Sequence, residues 1–296
     1  MVQPFRGIYP ALQATFDESG AIDTASMERQ VRHCIEAGTH GLVFPVLGGE
    51  LKHLSDAERQ RFVEVVVGTA AGQVPVVVGV SAPVAAIAVE HARHAARVGA
   101  DAVIALPAYP ESGSQAYMRA YYRAIAEAAQ RPVFIQHTGG SLTAPFMADL
   151  IREIEWVQYV KEETPPSGHS ITAVREAVDA NCLGVFGGAH GRWMVSEMRR
   201  GADGFIPAAQ ATEAYVAVWD AFQAGDEERA RAIFSQMESM LSLLSLVGLR
   251  LCKEILVRRG VIRTATMRQP GATALDDHDL YELDRVMRDL APTFRV

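Results

Sequence analysis

The stretch Val157-Gln158-Tyr159-Val160-Lys161-Glu162-Glu163 reads as a short β-strand of alternating and β-branched residues that runs into a lysine, two acids and the breaker pair Pro165-Pro166. A lysine where a buried strand meets a loop is unusually placed. Burial disfavours the ammonium form, so such a lysine can offer the neutral, nucleophilic amine that imine chemistry on a keto acid requires. A strand-end lysine snorkelling to solvent beside Glu162 and Glu163 would give the same local sequence. The chain has 28 lysines and arginines, and only Lys52, Lys161 and Lys253 are lysine. Arginine carries the surface charge, which leaves lysine for special positions.

Outward from this strand, one pattern repeats in both directions. Strands are expected over 7–16, 41–46, 74–80, 101–107, 132–138, 157–163, 183–188 and 204–208. Helices follow each of them, the first from an Asp23 or Thr24 cap to about Ala37, the second from a capping box of Ser55 with Glu58. The remaining helices are read near 83–98, 114–130, 144–154, 170–180, 193–200 and 212–223. Several strands are apolar on both sides, as parallel strands wrapped by helices are. Eight strands alternating with eight helices at roughly 25 to 30 residues per unit predict an α/β fold, a (β/α)8 TIM barrel over residues 1–225. The tail, 226–296, reads as a three-helix appendage with helices at 227–246, 249–259 and 277–290.

Composition narrows the classes of function. The 296 residues are 49% hydrophobic and carry a formal charge of −7, with a pI near 5.7. No concentrated basic patch exists to hold phosphates, so a nucleic-acid partner is not expected. No apolar run reaches the roughly 18 residues that span a bilayer, and no signal peptide is expected before the first strand. Cys34, Cys182 and Cys252 are odd in number and widely spaced, which suggests packing residues in a reducing cytoplasm. The nine histidines show no metal-ligand spacing.

In a barrel of this kind chemistry sits at the carboxyl ends of the strands, where Glu50, Tyr109, Gln136, His137 and Lys161 fall. Strand alternation sends His137 away from Gln136, favouring a satisfied residue outside the site over a general base. Glu163, two residues past Lys161, stays on its side and can relay protons, or remain a solvated loop charge. Glu50 suits a capping or salt-bridge role as well as one at the neighbouring loop. Tyr109 reads equally as a site residue or as a strand-end aromatic.

Several motifs in order resemble one family: Gly7-Ile8-Tyr9-Pro10-Ala11-Leu12, Gly48-Gly49-Glu50, Leu54 to Arg59, Val74 to Gly79, Gly99 to Ile104, Pro107-Ala108-Tyr109, and Lys161 closing strand six. Each is weak alone; their order and spacing are not. The chain is similar to the dihydrodipicolinate synthase and N-acetylneuraminate lyase superfamily, the class I Schiff-base lyases, over essentially its whole length. The resemblance implies that Lys161 forms an imine with C2 of a 2-keto acid, needing neither metal nor organic cofactor. It places the substrate carboxylate at the Gly48-Gly49 loop and a catalytic neighbourhood at Gln136 and Tyr109; Glu50, His137, Glu163 and Ile206 complete the expected substrate-binding set. It also implies homodimers or homotetramers.

Two departures matter. The two hydroxyl residues that the family carries before its Gly-Glu pair are Leu47 and Gly48 here, so backbone amides would have to hold a substrate carboxylate. On strand five the family's tyrosine proton shuttle aligns with Gln136, whose amide can orient a group but not exchange its proton. The segments from Gln136 to Phe146 and Val160 to Pro165 are instead similar to the sugar-acid dehydratase branch typified by L-2-keto-3-deoxyarabonate dehydratase. A dehydratase of a 2-keto-3-deoxy sugar acid is therefore expected. Retro-aldol lyase, synthase-like condensation, deamination of a hydroxylated pyrroline carboxylate and a non-catalytic keto-acid-binding barrel stay open. The loops 110–114, 139–143 and 189–193 are where the substrate's tail would be read.

Overall fold

The computed structural model describes residues 4–109, 113–139 and 142–296. Its elements follow the expected alternation: β1 (Gly7–Ile8), α1 (Thr24–Glu36), β2 (Leu42–Phe44), α2 (Asp56–Ala70), β3 (Val76–Gly79), α3 (Ala85–Val98), β4 (Ala102–Ala105), α4 (Gln115–Ala129), β5 (Val133–His137), α5 (Ala144–Glu153), β6 (Val157–Glu162), α6 (Ser167–Ala177), β7 (Gly184–Gly187), α7 (Met194–Arg199), β8 (Gly204–Phe205) and α8 (Thr212–Gln223). The tail supplies α9 (Glu227–Val247), α10 (Arg250–Arg258) and α11 (Asp277–Leu290). The strands hydrogen-bond in the order β1-β8-β7-β6-β5-β4-β3-β2. From β2 to β8 each strand lies beside its sequence neighbour, β1 lies beside β8, and the pairs from β3 to β8 are parallel.

The chain divides into two compact units, one of residues up to Gly7 with Pro75–Ile206, the other of Ile8–Val74 with Pro207–Val296. In the first unit β5, β6 and β7 stack their inward side chains in layers. Phe134 lies flat on Tyr159 with ring centroids 4.4 Å apart, and Phe186 meets Phe134 edge-on at 5.3 Å. Phe5 closes the bottom of this layer, 5.3 Å from the Tyr159 ring, and its N–H donates to the Tyr159 hydroxyl. One step up, Lys161 pairs across to Gln136 on one side and Phe186 on the other. The lysine therefore stands on an aromatic floor.

In the second unit, Ala11 bridges to both Val43 and Ala208, which joins the end of the first strand to segments from the second and the eighth. The long first strand expected over 7–16 is only two residues here, because Pro10 offers no N–H to a ladder; isolated parallel bridges at Ala11 continue it, while Phe16 bridges antiparallel to Ile22. Helix α6 begins at Ser167, three residues earlier than the pattern suggested, immediately after Pro166. The capping box is present as read, Ser55 accepting from the Glu58 N–H while Glu58 accepts from Ser55 N–H.

Lys253 on α10 is the unit's least expected charge. It is 1% exposed, donates to Glu50 at 2.5 Å and to the Thr266 carbonyl, and lies 4.6 Å above the Phe16 ring. Glu50 also accepts from the Arg268 and Gln269 N–H groups. Removing one partner of a buried pair strands the other charge. Lys253→Met is therefore expected to destabilise the protein by about 3 to 5 kcal/mol, and adding Glu50→Gln to recover a large part of that loss; urea unfolding of the single and double variants measures both.

Candidate active site

Strand β6 turns Lys161 and Glu163 to one side and Glu162 to the other, by the two-residue period of a strand. On the inner side the Lys161 ammonium lies 2.5 Å from Glu163 Oε1, with 5% and 17% of the two side chains exposed. Glu163 Oε1 also accepts from the Gln136 amide at 2.9 Å, and Oε2 from the Ala189 N–H at 2.9 Å. Burial would raise the Glu163 pKa, but the Lys161 charge and hydrogen bond, the Ala189 N–H and the Gln136 amide outweigh it and hold it below the usual value. Glu163 is thus an ionised carboxylate within contact of the lysine.

On the outer side, Glu162 Oε2 meets His137 Nδ1 at 2.8 Å, and its Oε1 accepts from the Thr164 N–H at 2.7 Å. His137 is directed away from Lys161, as the alternation of β5 requires. Of the residues expected at the site, the structure brings Lys161, Gln136 and Glu163 together and places His137 in this outer network. Tyr109 follows β4, and Ile206 follows β8, where it is buried and its N–H donates to the Gly187 carbonyl. Both belong to the same unit as Lys161.

The Gly48-Gly49 turn lies in the other unit and has its own internal logic. The Gly49 and Glu50 N–H groups donate to the Val46 and Leu47 carbonyls, so two of the amides expected to face a carboxylate are engaged within the turn. A side chain at Gly49 would come 2.7 Å from the Leu12 carbonyl, which explains the second glycine by close packing. Glu50 is the buried partner of Lys253.

Sequence reading passed over the glycines and acids of the β7 end. A Cβ at Gly188 would lie 2.2 Å from Glu163 Cγ, and one at Gly187 2.4 Å from Glu197 Oε2. The two glycines make room for two carboxylates. Glu197, on α7 and 1% exposed, takes the Ser167 hydroxyl hydrogen on Oε1, while Oε2 has no hydrogen-bond partner among the described residues. Burial, reinforced by the charges of Glu162 and Glu163 and opposed by the Ser167 bond, pushes its pKa up to about 7. Beyond Gly188, Ala189 and His190 both adopt left-handed backbone, φ 47° and 59°, a strained arrangement for residues with side chains. Burial pulls the His190 pKa down to about 4 against the attraction of Glu163, with Lys161 and Arg192 lowering it further, so its imidazole is neutral at neutral pH. The sequence signal was the pair Gly187-Gly188 followed by Gly191, glycine where side chains must be absent. The expected tail-reading residues 110–112 and 140–141 lie outside the described residues.

Among the described residues, no group of three or more His, Cys, Asp or Glu side chains could hold a metal ion, and no helix is long and apolar enough to cross a membrane. A β/α barrel with a buried lysine and its carboxylate at the end of the sixth strand has the architecture of a barrel lyase. The chain belongs to the dihydrodipicolinate synthetase family, whose profile matches residues 4–289. It is 33% identical to an uncharacterized DapA-like lyase of Halobacterium salinarum, over 96% of this chain and 93% of that one. It is 26% identical to L-2-keto-3-deoxyarabonate dehydratase of Azospirillum brasilense (90% and 88% covered) and 28% identical to the probable 2-dehydro-3-deoxy-D-pentonate aldolase of Escherichia coli (83% of each). The solved 4-hydroxy-tetrahydrodipicolinate synthase of Methylacidiphilum fumariolicum superposes with a TM-score of 0.89 at 19% identity, over 97% of this chain and 96% of that one, which establishes the TIM-barrel fold. Family and relatives mark the protein as a lyase of this class.

Two outcomes follow from the glycine pair and its acids. Gly188→Ala is expected to displace Glu163 and to cost about 1 to 3 kcal/mol of stability, read by thermal unfolding. Glu197 binds its proton more tightly in the fold than in the unfolded chain, so its contribution to stability is full below about pH 4.5 and is lost as pH rises through about 7. Glu197→Gln should remove that loss, making the variant more stable than the parent at alkaline pH by up to about 3 kcal/mol, with the gap closing towards acid pH in a series of melting curves.

Proposed function

We propose that the protein is a lysine-imine lyase that dehydrates a 2-keto-3-deoxy sugar acid. The observation that carries this reading is the buried Lys161–Glu163 pair with the Gln136 amide on the same carboxylate oxygen. Transfer of the lysine's proton to Glu163 leaves two neutral groups in a dry pocket, and the freed amine attacks the substrate's C2 carbonyl. The carbinolamine loses water to give an iminium, which draws electrons from C3 and acidifies it. Glu163, returned to its ionised form, removes a C3 proton to give the enamine. The enamine then expels the C4 hydroxyl, which leaves as water with a proton from Glu163. Hydrolysis of the iminium releases product and restores the lysine, so the net change is loss of one water.

Gln136 has the role of an orienting group, fixing Glu163 or a substrate hydroxyl. The absence of a tyrosine hydroxyl at this position favours dehydration over aldol chemistry, in line with the named activity of the Azospirillum relative. The second reading, retro-aldol cleavage of the C3–C4 bond, draws on the name of the Escherichia relative. Gly48 and Gly49 as carboxylate holders, Tyr109 and Ile206 as pocket walls, cytoplasmic location, oligomerisation, and a catalytic 1–225 barrel with a 226–296 appendage belong to this proposal.

Trapping tests it. Borohydride added with pyruvate, then with a 2-keto-3-deoxypentonate, is expected to fix a reduced adduct on the Lys161 peptide, located by mass spectrometry. Lys161→Ala should abolish the adduct and lower turnover by about a thousand-fold or more, and Glu163→Gln should lower turnover by about a hundred-fold. An active Lys161→Ala enzyme would refute the imine. With the pentonate, product lighter by one water supports dehydration, and release of pyruvate supports cleavage.

A further inference from the structure

The β7–α7 turn, residues 188–193, carries a cation that the proposed chemistry does not use. Its place follows from backbone bonds. The Ala189 N–H reaches Glu163 Oε2, the Gly191 N–H donates to the Gly188 carbonyl, and the Arg192 N–H returns to the Ala189 carbonyl at 3.3 Å. Three successive left-handed residues make this reversal, Ala189, His190 and Gly191, with φ of 47°, 59° and 67°. Two of them carry side chains that disfavour such backbone, which is a reason to ask what the turn presents. Two hydrogen bonds thus link the Arg192 backbone, through Ala189, to the carboxylate that holds Lys161. His190 stands between these charges. Burial lowers its pKa most, Glu163 raises it, and Lys161 and Arg192 lower it further, so one imidazole lies within reach of the reacting pair and of Arg192.

The Arg192 charge has no counterpart. Among the described residues no carboxylate forms an ion pair with it, and its buried Nε has no hydrogen-bond partner. Glu163 is engaged by Lys161, the Gln136 amide and the Ala189 N–H. The guanidinium carbon lies over the Trp193 ring, 5.7 Å from its centroid, and Trp193 is 42% exposed. Stacking of this kind supports the flat face of a guanidinium and leaves the N–H groups at its edge for a ligand.

We propose that Arg192 determines specificity at this site by holding a second carboxylate, at the far end of the substrate, so that the sugar acid dehydrated here is a diacid. The proposal rests on reading Lys161 and Glu163 as the reacting pair, and names the kind of sugar acid they act on. A half-buried guanidinium without a counter-ion is unfavourable until an anion meets it, and the ligand supplies that anion. The first carboxylate of a 2-keto acid is bonded to the carbon that Lys161 attacks, so it stays beside the lysine. A second one arrives with the tail. One guanidinium offers two parallel N–H groups that match the two oxygens of a carboxylate. A phosphate dianion would call for a further cation, and Arg192 is the only lysine or arginine from Gly184 to Met198.

Borohydride trapping on Lys161 tests this without turnover. Paired 2-keto acids of equal length, 2-ketoglutarate with 2-ketopentanoate and 2-ketoadipate with 2-ketohexanoate, differ only in ending in a carboxylate or a methyl group. In the parent, the half-saturating concentration should be about ten-fold or more lower for the diacid in at least one pair. Arg192→Gln should bring that ratio to about one, and Arg192→Lys should restore only part of it, because an ammonium lacks the paired donors. The ratio cancels any common loss of trapping. With a 2-keto-3-deoxyhexarate as substrate, Arg192→Gln should raise KM by about ten-fold or more, and by a larger factor than it lowers kcat. A parent without preference in either pair overturns the proposal, as does a preference that Arg192→Gln retains. Should Arg192→Gln not fold, Arg192→Lys decides, and an undiminished preference in it overturns the proposal. Pyruvate trapped normally with no preference for diacids removes Arg192 from the site and leaves the imine reading standing. No adduct on Lys161 with pyruvate or any of the four acids refutes the imine reading, and the proposal with it.

Discussion

A charged pair in a dry place sets the terms for the rest of the site. Lys161 and Glu163 lie 2.5 Å apart and largely out of water, and two charges in that setting tolerate each other's company but not each other's loss. Every neighbour contributes to keeping Glu163 ionised or in place: the Gln136 amide, the Ala189 N–H, and the missing side chain of Gly188. Beneath them the Phe5, Phe134, Tyr159 and Phe186 rings fill the space through which water would reach the pair. In the proposed mechanism the lysine gives its proton to this carboxylate, so that a buried amine becomes a nucleophile without leaving a charge uncompensated.

The three acids around the end of β6 are divided by environment and not by chemistry. Glu162 is satisfied by His137 and the Thr164 N–H, Glu163 by the lysine, and Glu197 by one hydroxyl alone. Their protonation follows that count of partners: Glu163 is held low and Glu197 is raised. Identical side chains within one small region thereby become a base and a neutral acid at the same pH.

Features determined within a few residues were legible in the sequence. The Ser55–Glu58 capping box, the span of α8, and the opposed directions of Gln136 and His137 all follow from local spacing, and the structure carries each of them. Lys161 stood out because a charge at a strand end, in a chain so poor in lysine, calls for a reason, and the structure buries it beside Glu163. What could not be read depended on partners far along the chain. Glu50 meets Lys253 across 203 positions, and Glu197 meets Ser167 across thirty. Neither end of such a pair carries a periodic or capping signal, and burial of both ends is a property of packing alone. The Gly48-Gly49 turn was read for its openness to a ligand, whereas its amides and its second glycine also serve the turn's own closure and packing.

The floor beneath the lysine has a consequence in time. Phe5 lies near the beginning of the chain, yet its N–H bonds the hydroxyl of Tyr159, 154 positions later, and the next strand's Gly7 N–H bonds the carbonyl of Asp203. During synthesis Phe5 emerges well before its partner and must wait while the 154 positions up to Tyr159 are made. Contacts of such long range are late and slow to form, since the intervening chain has to be ordered before they return anything. The pocket is therefore sealed from below by residues made long before it, and a chain made only as far as Lys161 still lacks the Phe186 ring and the Ala189 N–H that surround the pair.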